Sequence, residues 1–141
     1  MQAKAQPCYG RVMIAANASV IRKTYDDFAK GDIQAVLEAC DTSITWHVPG
    51  HSPLSGDYKG HDEIVGFFKH TLALSGGIFA IEVNHVLAEE DVVVALVTVK
   101  AERNGRSATF PEVHVFRLAN EKVIEFREFQ GDEQTEDRFW S

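Results

Sequence analysis

Apolar residues in the first part of the chain recur at helical spacing. Two such stretches follow each other, with apolar positions three and four residues apart, and each predicts a helix with one buried face. Gly31 suits the left-handed residue that ends the first helix, and Asp32 suits the N-cap of the second. Residues 1–15 show no clear period and are expected to form a flexible N-terminal arm ahead of a single domain over residues 16–141. The predicted buried positions of the helical hairpin are Ile21, Tyr25, Phe28, Ile33, Val36, Leu37 and Cys40.

A strand and a third helix are predicted next. Residues 43–48 alternate between apolar and polar side chains, which is typical of a half-buried strand. Residues 49–56 are rich in Pro, Gly and Ser, so we expect an irregular loop. From about residue 62 the helical spacing returns, and the glycine pair 76–77 ends it.

The remainder of the chain is predicted to form four strands joined by short turns. Alternation places Leu87 on an inward face and Val86 on the outward one. Asn104-Gly105 is a strong hairpin signal, and Pro111 predicts a bulge or an unpaired position. Val113, Val115 and Val123 are also expected to point outward. The four strands are predicted over residues 78–87, 92–103, 107–118 and 123–130.

This order of elements indicates an α+β domain. Three helices precede an antiparallel meander, and one strand lies between the second and third helices. A strongly curved meander wrapped on a long helix leaves a cone, and its wide mouth is where a small-molecule pocket forms. The tail, residues 132–141, ends in Phe139-Trp140, which is expected to pack on the domain.

The amino-acid composition argues against some classes of binding partner and some cellular locations. The net charge is −7, from 14 basic and 21 acidic residues, which argues against nucleic acid and anionic membrane surfaces. Neither a secretory signal nor a membrane span is expected, because the apolar stretch near residues 12–16 is too short. Cys8 and Cys40 form no metal-binding or redox motif, so we predict a buried, reduced Cys40 thiol and a cytoplasmic protein.

A set of short motifs resembles one protein family. Over about residues 17–140 the chain resembles the SnoaL-like polyketide-cyclase and ketosteroid-isomerase group of the nuclear-transport-factor-2-like (NTF2-like) superfamily. The resemblance implies a cone-shaped, cystatin-like α+β fold, with three N-terminal helices packed on a strongly curved, mostly antiparallel sheet. It also implies a homodimer through the outer sheet face. The motifs are GDI (31–33), WHVPG (46–50), PLSG (53–56), Tyr58, Gly60, VHVFR (113–117) and VIEFREF (123–129).

The resemblance implies less about the reaction, because this superfamily includes isomerases, cyclases, epoxide hydrolases and non-catalytic binders. Where ketosteroid isomerases carry a tyrosine, an aspartate base and an aspartic acid, this chain has Thr24, Val48 and His114. Limonene-epoxide-hydrolase-like proteins use an Arg-x-Asp pair that is absent at 95–97, and only Glu128 keeps a carboxylate of their set. The polyketide cyclases resemble the chain best, since they rely on a single acid/base carboxylate in an apolar cavity.

Glu128 and His114 are the candidate catalytic residues. Glu128 shares an inward strand face with Phe126, where loss of water should raise the pKa of a carboxyl group and suit it to proton transfer. The alternatives for Glu128 are an ion pair with Arg117 or Arg127, or a solvated rim position. His114 could orient a carbonyl or pair with Glu128 as a proton relay, and the alternative is a core histidine satisfied by a neighbouring side chain.

The remaining site predictions concern the pocket walls. Tyr25 and Tyr58 are candidates for a phenolic hydrogen bond to the ligand, and plain core packing is the alternative for Trp46. Glu112 is a candidate for a second inward carboxylate, but Pro111 leaves open which residues of its strand point inward. No metal or other cofactor is expected, since His47 and His51 do not share a helix face. The predicted ligand-binding residues are Trp46, Val48, Tyr25, Tyr58, Phe116, Phe126 and Phe28.

Two classes of function fit this pattern. The first is an isomerase or cyclase that acts on a carbonyl-bearing, largely apolar metabolite. In it Glu128 removes a proton next to the carbonyl, and His114 stabilises the enolate oxygen. The second is a non-catalytic binding module, or a dimeric interaction module, of the same fold. No phosphate-binding loop and no Ser-His-Asp order is present, which argues against phosphoryl and acyl transfer.

Overall fold

A computed structural model describes residues 6–141 of the chain, with side chains from Arg11 onward. Four helices and six strands make up this part of the protein, and all six strands belong to one sheet. In chain order the elements are α1 (Gln6–Ala29), α2 (Ile33–Glu38), β1 (Cys40–Val48), β2 (Gly56–Lys59), α3 (Gly60–Leu74), β3 (Phe79–Glu89), β4 (Val92–Arg103), β5 (Arg106–Ala119), β6 (Lys122–Gln130) and α4 (Glu133–Trp140).

The sheet confirms the α+β prediction. Its strand order is β2-β1-β6-β5-β4-β3, and every neighbouring pair is antiparallel except β1 with β6, which is parallel. Helices α1 and α3 pack on one face of the sheet, and the apolar core lies between them and that face. The long strands β3 to β6 form the predicted meander.

The joint between α1 and α2 forms as predicted from Gly31 and Asp32. Gly31 has a φ of +77°, a left-handed conformation that costs glycine little, and the Asp32 side chain accepts a hydrogen bond from the Ala35 backbone N–H. Helix α1, however, begins at Gln6, so residues 6–15 are helical instead of the predicted arm. Residues 11–15 are largely exposed, and an exposed helix needs no apolar stripe to mark it. Residues 1–5 of the predicted arm lie outside the described part of the chain.

A register shift in β3 overturns two predicted side-chain directions. The pairing of β3 with β4 shifts between Val83 and His85, and one extra residue reverses the faces of all that follow. Val86 therefore packs against the core, whereas the Leu87 side chain is 58% exposed. The outward prediction for Val123 was wrong as well, because that residue is 1% exposed and belongs to the core.

The C-terminal tail forms a helix that the pattern did not predict. Asp132 caps α4 by accepting a hydrogen bond from the Thr135 backbone N–H. Phe139 and Trp140 are buried as predicted, and the Phe139 ring packs against Phe110 with 5.2 Å between centroids. The tail therefore forms part of the domain wall. Among residues 6–141 no helix has the length and apolarity needed to cross a membrane.

Candidate functional site

A cavity opens between α1, α3 and the concave face of the sheet. This main cavity encloses about 610 Å³ of space free of protein atoms, part of it open to solvent. Its walls are mostly aromatic and aliphatic, and its polar groups are few. The lining residues are Thr24, Tyr25, Phe28, Val36, Trp46, Phe67, Phe68, Thr71, Phe79, Ile81, Val99, Glu112, His114, Phe116, Phe126 and Glu128.

Five of the seven residues predicted to bind ligand line this cavity. The Trp46 ring stacks on Phe126 with 3.8 Å between centroids, and Phe126 meets Phe116 edge-on at 5.2 Å. Tyr25 and Phe28 face them from α1. Aromatic pairs of this kind hold their rings in fixed orientations, so the walls form a rigid apolar surface.

Val48 and Tyr58 take other positions. Val48 lines a smaller side cavity of about 340 Å³, which shares Glu112 and Glu128 with the main one. Tyr58 lines neither cavity: its hydroxyl donates to the Leu54 carbonyl at 2.8 Å and its ring packs on Phe67. The phenol of Tyr58 is thus committed to the loop before β2.

The polar end of the main cavity centres on His114 of β5. The Tyr25 hydroxyl lies 2.6 Å from His114 Nδ1, and Glu112 Oε1 lies 2.9 Å from His114 Nε2. Strand alternation puts Glu112 and His114, two residues apart, on the same inward face, and both side chains are 5% exposed. Both ring nitrogens therefore have protein partners, and Glu112 is the inward carboxylate that Pro111 had left open.

Glu128 lies on β6, directly opposite His114 in the ladder. Its Oε2 accepts a hydrogen bond from the Gln130 side chain at 2.8 Å. The arginines weighed as its partners lie elsewhere: Arg117 pairs with Asp91, and both Arg117 and Arg127 lie near Glu125 on the outer side. Glu128 thus belongs to the cavity instead of an ion pair with either arginine.

A third carboxyl group approaches the same point from α4. Glu136 is 3% exposed, hydrogen-bonds Glu112 and lines the side cavity. Burial, the Glu112 hydrogen bond and the nearby carboxylates raise the pKa of Glu136 to about 11. Burial and the Glu128 charge likewise raise the pKa of Glu112 well above its usual range. Glu136 is therefore protonated near neutral pH, and ionisation of Glu112 is disfavoured.

The imidazole and the phenol are also neutral. Burial lowers the pKa of His114 to about 4, although the nearby Glu128 charge opposes the shift. Burial and the charges of Glu112 and Glu128 raise the pKa of Tyr25 well above its usual range. A neutral imidazole between a phenol and a carboxyl group lets its two hydrogen bonds polarise each other. It has no positive charge with which to bind an anionic ligand.

Sequence reasoning missed Glu136 and left Glu112 undecided. The spacing Glu112-x-His114 was the available signal for Glu112, and the Asp132 cap was the signal for the helix that carries Glu136. Glu112, His114 and Glu128 also bring one potential ligand atom each within 4.8 Å of one another, the one such group in the described residues. His47, which the sequence had also raised, pairs instead with Asp57 on the outer edge at 2.7 Å.

Comparison with known proteins agrees with this fold. Residues 21–126 match the family model described as SnoaL-like domain. Bal32a, from a soil-derived mobile gene cassette, is 33% identical and superposes with a TM-score of 0.87, covering 91% of this chain and 98% of its own. An NTF2-like protein of unknown function from Burkholderia pseudomallei is 27% identical with a TM-score of 0.82, covering 89% and 98%. An uncharacterised protein of Mycobacterium tuberculosis, Rv0034, is 26% identical over 89% of this chain and 97% of its own length.

These proteins are similar to the chain along nearly their whole length, and the solved ones share its cone of helices on a curved sheet. The match to the family model spans α1 to β6, which includes both strands that carry His114 and Glu128. The chain therefore belongs to the SnoaL-like domain family, within the NTF2-like fold.

Proposed function

We propose that this protein is an isomerase or cyclase that acts on a carbonyl-bearing, mostly apolar metabolite by proton transfer at Glu128. One observation carries the proposal: the ionisable groups of an aromatic cavity converge at one end, where Glu112, His114 and Glu128 bring their polar atoms within 4.8 Å of one another. Proton transfer next to a carbonyl needs such an apolar site with one base at its edge.

Glu128 is the residue suited to act as the base. Glu136 holds a proton near neutral pH and ionisation of Glu112 is disfavoured, because burial raises the pKa of both. Two hydrogen-bonded carboxyl groups need at least one proton between them, since a carboxylate has no donor. The carboxylate that remains to accept a proton from a ligand in the main cavity is Glu128.

Tyr25 is the residue suited to meet the negative charge on the substrate oxygen. In the free protein its hydroxyl is bonded to His114 Nδ1. An enolate oxygen accepts a hydrogen bond more strongly than a neutral imidazole does, so the hydroxyl can turn to the substrate as charge develops. That interaction is made mainly in the transition state, which is the kind that raises kcat. His114, with both ring nitrogens bonded, holds Tyr25 in place instead of touching the substrate.

The test is deuterium exchange into ketones in D2O, because exchange reports proton removal without an identified product. A panel of polycyclic and aliphatic ketones is incubated with wild type, Glu128→Gln and Glu102→Gln, a control on the exposed face of β4. We expect exchange next to the carbonyl with wild type and Glu102→Gln, and at least a hundredfold slower exchange with Glu128→Gln, the order of a lost catalytic acid or base. Exchange that stays within a few-fold in Glu128→Gln would show that Glu128 is not the base.

A carrier or sensor with the same cavity is the second candidate. The observation in its favour is that Tyr25, His114 and Glu112 already satisfy one another, so the cavity can hold a ligand without committing them to it. Ketones that bind wild type and Glu128→Gln equally, with no exchange in either, would favour this candidate.

A further inference from the structure

We propose that the ligand of the main cavity carries a hydroxyl group, such as an enol or phenol, at its polar end, and bears no negative charge there. The proposal rests on the proposed function and deepens it, because an enolised carbonyl compound is the substrate class that presents such a hydroxyl. The proposal depends on which hydrogen-bond donors and acceptors of the cavity wall remain free to bind a ligand.

The threonine donors of the wall are already used. The Thr24 hydroxyl donates to the Val20 carbonyl at 2.7 Å, and the Thr71 hydroxyl donates to the Phe67 carbonyl at 2.9 Å. Each bond runs back along its own helix, where the acceptor is fixed four residues earlier. A hydroxyl group has a single proton, so these two oxygens can offer a ligand only their lone pairs.

The proton of Tyr25 is used in the same way. Its contact with His114 Nδ1 is 2.6 Å, a length typical of an O–H donor, and the contact of His114 Nε2 with Glu112 is 2.9 Å, typical of N–H donating to oxygen. We therefore infer that Tyr25 donates to Nδ1 and that Nε2–H donates to Glu112. In the resting cavity the phenol oxygen acts as an acceptor.

Unpaired acceptors lie at the same end of the protein. Gln130 Oε1 and Glu136 Oε2 are buried with no hydrogen-bond partner in the described chain, and both residues line the adjoining side cavity together with Glu128. Among the described residues the wall also holds one unpaired donor, the Trp46 indole N–H, and its nitrogen is as fully covered as these two oxygens. The acceptors that face the main cavity itself are the phenol oxygen of Tyr25 and the carboxyl group of Glu128, and both favour a ligand that brings the donor.

The carboxyl groups of the wall disfavour a ligand that enters the cavity with an anionic group. In the part of the chain that the structure describes, no lysine or arginine lines either cavity, whereas Glu112, Glu128 and Glu136 all face this end. A ligand carboxylate would be buried against them without a counter-charge, and that arrangement is strongly unfavourable. A neutral hydroxyl can donate a hydrogen bond to the acceptors of the wall, and it adds no negative charge beside the glutamates.

Three probes that share one flat apolar body test the proposal: 2-naphthol, its methyl ether and 2-naphthoate. Binding to wild type is measured by calorimetry. We expect 2-naphthol to bind about tenfold more tightly than the ether, the usual worth of one hydrogen bond, and naphthoate to bind at least a hundredfold more weakly than 2-naphthol. Equal binding of naphthol and ether, preferred binding of naphthoate, or no binding of any probe would each overturn the proposal.

Nitrogen-15 NMR of the histidine side chains supplies the second measurement. We expect His114 to carry its proton on Nε2, with a resonance that moves when 2-naphthol binds. A proton on Nδ1 would leave the Tyr25 hydroxyl free to donate to a ligand. That result would overturn the proposal, which requires the phenol oxygen to be an acceptor. Neither measurement depends on turnover, so a protein that prefers naphthol but exchanges no deuterium would refute the proposed reaction and keep this inference.

Discussion

His114 and Glu128 face each other directly across the β5–β6 ladder, yet the ring of His114 is bonded to Glu112, two residues earlier on its own strand. The imidazole is thus held from both sides, by Glu112 at Nε2 and by Tyr25 at Nδ1. Glu128 meets this unit through a hydrogen bond with Glu112. His114 is therefore a neutral ring held in a fixed position, and Glu128 is the group proposed to exchange a proton with a ligand.

The buried His114 should make stability depend on pH. The folded imidazole has a pKa of about 4, while an unfolded one binds a proton near pH 6.5. Because the unfolded chain takes up the proton first, stability is full above about pH 6.5 and falls as the pH drops towards 4, by about 3 kcal/mol in total. Urea unfolding of wild type and His114→Gln at several pH values measures the difference. Parallel stability curves for the two proteins would contradict the buried neutral imidazole.

Glu136 should act in the opposite sense. Its folded pKa is about 11, so the folded protein keeps a proton that the unfolded chain loses near pH 4.5. Stability from this group is full below about pH 4.5 and decreases by about 1.4 kcal/mol per pH unit above it. Glu136→Gln keeps a neutral side chain of the same shape, so we expect a higher Tm than wild type at pH 8.5 and a similar one at pH 4.5. Glu133→Gln, on the exposed side of α4, is the control, and an equal effect of both changes would refute the prediction.

Two glycines should respond oppositely to alanine. Gly50 has a φ of +93°, and a Cβ there would lie 2.5 Å from Asp137 Oδ1, the atom that accepts a hydrogen bond from the His51 backbone N–H. Gly66 lies inside α3 with nothing within 4 Å of an added Cβ. We expect Gly50→Ala to lower the free energy of unfolding by about 1–3 kcal/mol and Gly66→Ala to raise it by about 0.5–1 kcal/mol. Chemical denaturation measures the free energy of unfolding of both variants. A Gly50→Ala protein as stable as wild type would refute the predicted clash with Asp137.

The outer sheet face should hold a homodimer together. Phe129 is 50% exposed there, opposite Val113 in the ladder, and Leu87 is 58% exposed. Exposed apolar residues on a sheet face favour association, because association removes them from water. Sedimentation at micromolar concentration should show a dimer for wild type and a monomer for Phe129→Asp, with similar circular dichroism. A wild-type monomer would refute this prediction.

The sequence predicted those parts of the fold that local patterns determine. The hairpin joint at Gly31 and Asp32 depends on the two residues themselves, and the helix and strand periods of the core depend on their immediate neighbours. The reversal of Val86 and Leu87 could not be predicted, because the register shift in β3 arises from its pairing with β4. The same distinction applies to the start of α1, where an exposed helix carries no apolar period.

The candidate site was predictable in its walls and less so in its polar end. Trp46, Phe116 and Phe126 followed from strand alternation. The bond between Glu112 and His114, and the arrival of Glu136 from a C-terminal helix, depend on contacts between segments distant in sequence. Such contacts also decide which carboxyl groups hold protons, so the protonation of the site emerges only from the assembled fold.

The parallel pairing of β1 with β6 has a consequence for how the protein is made. Cys40 pairs with Val123, about 80 residues later, and β1 has no other long partner in the sheet. A ribosome therefore releases β1 long before the strand that covers it exists, and closing so long a loop slows folding. Until β6 emerges, Trp46 of β1 lacks Phe126, on which its ring stacks in the folded protein, so we infer that the nascent chain needs protection from aggregation until its last strand is available.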